Sequence, residues 1–354
     1  MKKLLLILLS TSIFIQAQSF VPDSPELDLK SYILIEPNTN TVIAEFNSDL
    51  EIEPASMTKI MTSYVVADQI ANGLISLDDE VLISEKAWRM QGSKTFIEAG
   101  KKVTVSDLLK GIMIQSGNDA SVAIAEYAGG TERGFVDLMN SYAASLEMNN
   151  TIFQNSTGLP DENHFSSAKD LANLTANYIN KFPEEYALYK QKQFTFNNIK
   201  QLNRNKLLWR DDSADGVKTG HTEAAGYCLV GSAKRGGMRL ITVVAGSKSD
   251  NDRFLSSQRL LEYGFRFFTT QKMLSAEKEY QNITVWGGQE KILGVGVLED
   301  ISITLRNTPN GDEYDKDVAL GVYYAVDNGA KVINMSFGKG FSPHSDWVRD
   351  AIAY

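Results

Sequence analysis

Cysteine is nearly absent from this 354-residue chain: Cys228 stands alone, so no internal disulfide can form. Its neighbours Tyr227, Leu229 and Val230 mark it as a small apolar residue on a buried strand. Histidine is almost as scarce. His164, His221 and His344 lie far apart without metal-ligand spacing, so a zinc site is not expected. Positive charge is in deficit too. A net charge of −9 and the lack of any sustained basic stretch argue against nucleic acid as a partner. Long apolar runs are missing except at residues 4–15, which follow Lys2 and Lys3, precede Ala17 and fall short of the ~20 residues that span a bilayer. That pattern reads as a secretory signal over residues 1–17, with the mature chain starting near Gln18 outside the cytoplasm. What remains, 43% hydrophobic and 22% charged residues, is the composition of a soluble globular protein.

Against this background three short motifs stand in one order: Ser56-Met57-Thr58-Lys59, Ser116-Gly117-Asn118 and Lys218-Thr219-Gly220. Singly they are weak. Ser-x-x-Lys also begins at Ser166, Ser275 and Ser336, and Ser-x-Asn recurs at Ser249-Asp250-Asn251. A lone match is more often a surface serine beside a solvated lysine. Context singles out one set. Apolar residues at helical spacing follow Ser56 (Ile60, Met61, Tyr64, Val65, Ala67, Ile70), which places Ser56 at a helix N-terminus with Lys59 on the same face. Ser116-Gly117-Asn118 falls on a turn between a helix over 105–114, with Ser106 as its cap, and a second over 120–128. Lys218-Thr219-Gly220 lies on a strand at the edge of a hairpin that turns at Arg235-Gly236-Gly237.

A serine hydroxyl needs a base before it can attack, and no histidine is near Ser56 in sequence. Lys59 is the natural candidate if desolvation, and a second cation such as Lys218, lower its pKa. Ser116 is placed to relay a proton, and Asn118 to bond an amide of the substrate. The oxyanion would rest on backbone N–H groups of Ser56 and His221. Thr219, with Arg204 or Arg253, suits a terminal carboxylate. A surface ion pair is an equally good reading of either arginine.

A hairpin over 31–46, further helices at 132–147, 168–181 and 251–264, and strands from Tyr227 to Ala245 indicate an α+β sandwich, a helical cluster on an antiparallel sheet. Short strands at 282–286 and 301–305 suggest a small all-β domain over 273–306. A helix at 317–327 and a strand at 331–336 follow it.

The segments Glu53–Thr62, Met113–Ala120, Asn155–Pro160, Asn203–Trp209, Asp215–Thr222 and Tyr263–Phe268 together resemble the low-molecular-mass penicillin-binding proteins, serine D-alanyl-D-alanine carboxypeptidases with a penicillin-binding/β-lactamase-like fold. The resemblance covers residues 24–306, with a catalytic domain over 24–270. It implies removal of the terminal D-Ala from peptidoglycan pentapeptides through an acyl-enzyme on Ser56, without metal or cofactor, and covalent capture by β-lactams. It also implies a periplasmic site of action with peripheral contact to the inner membrane, although the family's amphipathic anchor helix is not seen here. Residues 307–354 depart from that pattern. Asn334-Met335-Ser336-Phe337-Gly338 and its surroundings resemble a fragment of a subtilisin-like protease without catalytic motifs, expected to be inactive and poorly packed, beside a truncated β-domain. The rival readings are a β-lactamase, disfavoured because no Glu-x-x-x-Leu-Asn stretch lies between Asn118 and Lys218, a non-catalytic muropeptide or penicillin sensor, and an unstable chimera.

Overall fold

Strands β1 (Ser31–Glu36) and β2 (Thr41–Phe46) form the expected hairpin. Helix α1 (Lys59–Ala71) and helix α2 (Asn118–Gly129) follow, then α3 (Ala168–Lys181). The chain next runs through β3 (Ala214–Thr222), β4 (Gly226–Arg235) and β5 (Met238–Ser247), and ends the larger layer with α4 (Asp250–Phe267). The five strands make one antiparallel sheet in the order β2-β1-β5-β4-β3, so the strand carrying Lys218-Thr219-Gly220 is an edge, as expected. A computed structural model of the chain describes residues 22–284, 286 and 292–307. Ser24–Leu305 is one compact unit. The second, Met1–Asp23 with Arg306–Tyr354, falls almost wholly outside the described residues, as do the expected signal segment and the helix and strand beyond residue 316.

Side-chain alternation lets the sheet bury both faces. Ile33, Ile35, Val230, Ile241, Val243 and Ala245 enter a core shared with Ile60, Tyr64, Val65 and Leu171 from the helical cluster. On the other face, Gly264 of α4 comes so close to Leu34 and Leu240 that an added Cβ would lie 2.5 Å from a methyl of Leu240. Thr242 meets Ser257 of α4 there through a 2.6 Å hydrogen bond. The result is the predicted α+β sandwich, with helices on both sides of the sheet.

Some boundaries shift for local reasons. The helix before Ser116 is capped by Thr104, whose hydroxyl accepts from Asp107 N–H, and not by Ser106. That helix ends at Lys110 and relaxes into a wider turn over Gly111–Gln115. The small β-layer begins directly after α4, with β6 (Phe268–Leu274). β6 pairs with β9 (Ile301–Arg306), while β7 (Glu279–Thr284) pairs with β8 (Ile292–Gly296). The Thr304 hydroxyl bonds both Thr270 and Thr39, which joins this layer to the turn of the first hairpin.

Candidate active site

Ser56 does not begin the α-helix; it lies in a single 3₁₀ turn, Ala55–Thr58, just ahead of α1. Residues three apart eclipse in that geometry, which puts Lys59 directly over Ser56. The turn is entered through Ala55 at φ +46°, a left-handed conformation that is costly for alanine. Gly158, itself at φ +80°, packs on it so tightly that a Cβ would sit 1.7 Å from the Ala55 carbonyl oxygen. Ser56 stays half-buried, whereas Lys59 is fully buried.

The Lys59 amine touches three oxygens: Ser56 Oγ at 3.1 Å, Asn118 Oδ1 at 2.7 Å and the Thr157 carbonyl at 2.5 Å. None is charged. Burial therefore lowers its pKa from 10.5 to about 7, against the opposing pull of the Asp119 carboxylate. The expected second cation is not among the causes for Lys59. The repulsion shows instead at Lys218, which is held well below its usual value first by burial and then by Lys59, Arg253 and Arg204. Among the described residues Lys218 donates only to the Thr219 carbonyl, at 3.0 Å.

Ser116 occupies the left-handed region at φ +66°, and its buried hydroxyl has no hydrogen-bond partner among the described residues. A buried, unpaired hydroxyl in a native fold asks for an explanation, and a reacting ligand supplies one. Asn118 is more committed than expected. Its Oδ1 accepts from Lys59, and its Nδ2 donates to the Gln91 carbonyl at 2.6 Å, which leaves one N–H for a substrate amide. Asp119 fixes the facing loop by accepting from the N–H groups of Thr95, Phe96 and Ile97.

Strand β3 closes the site. Gly220 packs closely on the Ala55–Thr58 turn: a Cβ would come 3.0 Å from the Pro54 carbonyl and 3.3 Å from Ala55 Cβ. Thr222 bonds Glu53 at 2.9 Å, tying the same two segments. The buried Thr219 points the same way along the strand as His221, whose exposed ring leans on Tyr227 with centroids 4.1 Å apart.

The two arginines differ. Arg253 is buried and already bonded to the Gly220 and Cys228 carbonyls and to Asp250. It braces the strand from behind. Arg204 is exposed, and its guanidinium makes no hydrogen bond or ion pair among the described residues; the Asn203 and Asn205 side chains shape the turn that presents it. Arg204, Arg253, His221 and Gln115 line a cavity of about 740 Å³.

Three contributors were not singled out from sequence as site residues: the Thr157 carbonyl, Asp119 and His164. The first two sit inside stretches that carry the family resemblance. His164 reaches the site through Thr58, at 2.9 Å, a long-range contact with no local signature.

Comparison with known proteins accords with this geometry. A family model described as D-alanyl-D-alanine carboxypeptidase matches residues 18–249. A second, for the C-terminal domain of penicillin-binding protein 5, matches residues 268–340, beyond the boundary expected near Arg306. D-alanyl-D-alanine carboxypeptidase DacA of Escherichia coli is 44% identical over 295 residues, 81% of this chain and 73% of its own length. Penicillin-binding protein 5 of Haemophilus influenzae superposes with a TM-score of 0.78 at 41% identity, covering 82% of this chain and 86% of its own. Penicillin-binding protein D2 of Listeria monocytogenes, solved in an ampicillin-bound form, does so with a TM-score of 0.63 at 29% identity over 68% of this chain and 98% of its own.

Proposed function

The chain belongs to the D-alanyl-D-alanine carboxypeptidase family, and from that premise we propose that Ser56 is its nucleophile and Lys59 the base that activates it. A neutral amine has two N–H groups and one lone pair. Asn118 Oδ1 and the Thr157 carbonyl take the two hydrogens, which leaves the lone pair facing Ser56 Oγ. The serine proton passes to Lys59 as Oγ attacks the carbonyl of the penultimate D-Ala of a peptidoglycan pentapeptide. Backbone N–H groups of Ser56 and His221 hold the oxyanion. Ser116, with Lys218 behind it, returns a proton to the leaving D-Ala amine. Thr219 and Arg204 take the terminal carboxylate, while Arg253 holds the strand on which Lys218, Thr219 and Gly220 stand. Water then hydrolyses the acyl ester on Ser56.

The observation that carries this reading is a buried lysine 3.1 Å from a half-open serine, its amine hydrogen-bonded to neutral oxygens. A β-lactam would acylate the same hydroxyl, as an analogue whose leaving group cannot depart. Export through the signal over residues 1–17 to the periplasm, with contact at the inner membrane, belongs to the same proposal. No described helix is long and apolar enough to cross a membrane.

The test is acylation by a fluorescent penicillin, followed by D-Ala release from diacetyl-L-Lys-D-Ala-D-Ala. Wild type should label and cleave, and Ser56→Ala should do neither. Labelling that survives Ser56→Ala would sink the assignment, and label lost within seconds would point to a β-lactamase.

A further inference from the structure

His164 is buried to 4% exposure just behind the Ser56–Lys59 turn, where the reaction as written gives it nothing to do. Its ring lies between two segments. Nε2 is 2.9 Å from Thr58 Oγ1, and Nδ1 is 3.4 Å from Gln154 N and 3.3 Å from Asn155 Nδ2. The amide orientation of Asn155 is fixed independently, because its Oδ1 accepts from the N–H groups of Thr157, Gly158 and Leu159. Asn155 Nδ2 is therefore a donor, as is Gln154 N, and Nδ1 has to accept. The proton sits on Nε2 and is donated to Thr58.

That tautomer has a mechanical consequence. Thr58 immediately precedes Lys59, and Asn155 folds the loop that aims the Thr157 carbonyl at the Lys59 amine. We propose that His164 is a positioning residue for the general base: by bridging Thr58 to the 154–155 loop it keeps the Thr157 carbonyl against Lys59 and water away from the amine. The proposal rests on Lys59 being the base. The groups facing the ring are neutral except for Asp161 on its own loop and Lys59 on α1, and the Phe153 ring packs edge-on at 5.7 Å. Burial, opposed by Asp161 and reinforced by Lys59, lowers His164 to about 4, so the ring is neutral at pH 7.

Loosening this bridge should hydrate Lys59 and let its pKa climb toward the free value. The amine would then be neutral only at higher pH. In a pH profile of penicillin acylation, His164→Ala should move the rising limb upward by about one unit, a loss of about fivefold at pH 7 that disappears above about pH 9. His164→Gln, which can still donate to Thr58, should shift it less. If His164→Ala fails to fold, the isosteric Thr58→Val reads the same limb, with Thr58→Ser expected to shift it less than Val. A loss of equal size at every pH, or none, overturns the proposal. Failure of the underlying reading looks different: Lys59→Arg would then keep a substantial acylation rate.

Discussion

Lys59 is hydrogen-bonded only to neutral oxygens among the described residues, and the pull of the Asp119 carboxylate falls short of the cost of burying it. The unfolded chain holds a proton on this amine up to about pH 10.5, whereas the folded chain releases it near 7. Between those values the unfolded state binds more protons, so stability must rise with pH through that window. Measured by denaturant melts against Lys59→Met, wild type should gain about 3 kcal/mol between pH 7 and pH 10. Equal pH slopes for the two proteins would mean that Lys59 is not the depressed group. The same residues show what a motif can and cannot say. Ser-x-x-Lys places a hydroxyl and an amine three residues apart, and that much was readable. Whether the amine is dry depends on Asn118, Thr157 and His164, which are brought up from as far as 105 residues away (His164 to Lys59).

The misleading motif matches also have structural explanations at the level of elements. Ser249, which begins the second Ser-x-Asn, accepts from Asp252 N–H at 3.1 Å and caps α4. Ser166 is buried and bonds Thr151, while Lys169 pairs at the surface with Asp49. Both serines occupy places where serine satisfies local backbone or buried polar groups, which is why such short patterns recur. Helix α4 matters to the site because it carries Arg253 and seals the second face of the sheet. Leu240 is fully buried beneath it. Leu240→Ala should lower stability by about 2–5 kcal/mol in a chemical melt. Penicillin labelling of the folded fraction should persist, since no Leu240 atom borders the Ser56–Lys59 cluster. Loss of labelling in a folded variant would instead show that strand β3 depends on packing behind it.

On the scale of the whole molecule, the two walls of the site are one helical cluster and one edge strand, both within residues 24–267. The small β-layer meets the larger one at the Thr39–Thr304 bond and contributes none of the site residues described. A chain ending after Leu274 should therefore still be acylated by penicillin at a rate within about threefold of the full chain, although removing β9 strips the pairing partner of β6 and should lower the melting temperature. A truncated chain that folds but no longer labels would place a contribution to the site beyond residue 274.

The amino-acid sequence by itself determined which reactive groups are present and their order along the chain: Ser56 with Lys59, Ser116 with Asn118, and the Lys218 strand are local patterns, and their flanking periodicity set the helices and strands that carry them. Tertiary structure decided which copies of each motif meet. It also separated Arg204, whose guanidinium has no partner among the described residues, from Arg253, already spent on backbone carbonyls, and it brought His164 behind the Ser56–Lys59 turn. The reason is physical. Residue type and spacing are written locally, but desolvation, the number of unfilled hydrogen bonds and the direction of a lone pair depend on what distant segments pack against the group.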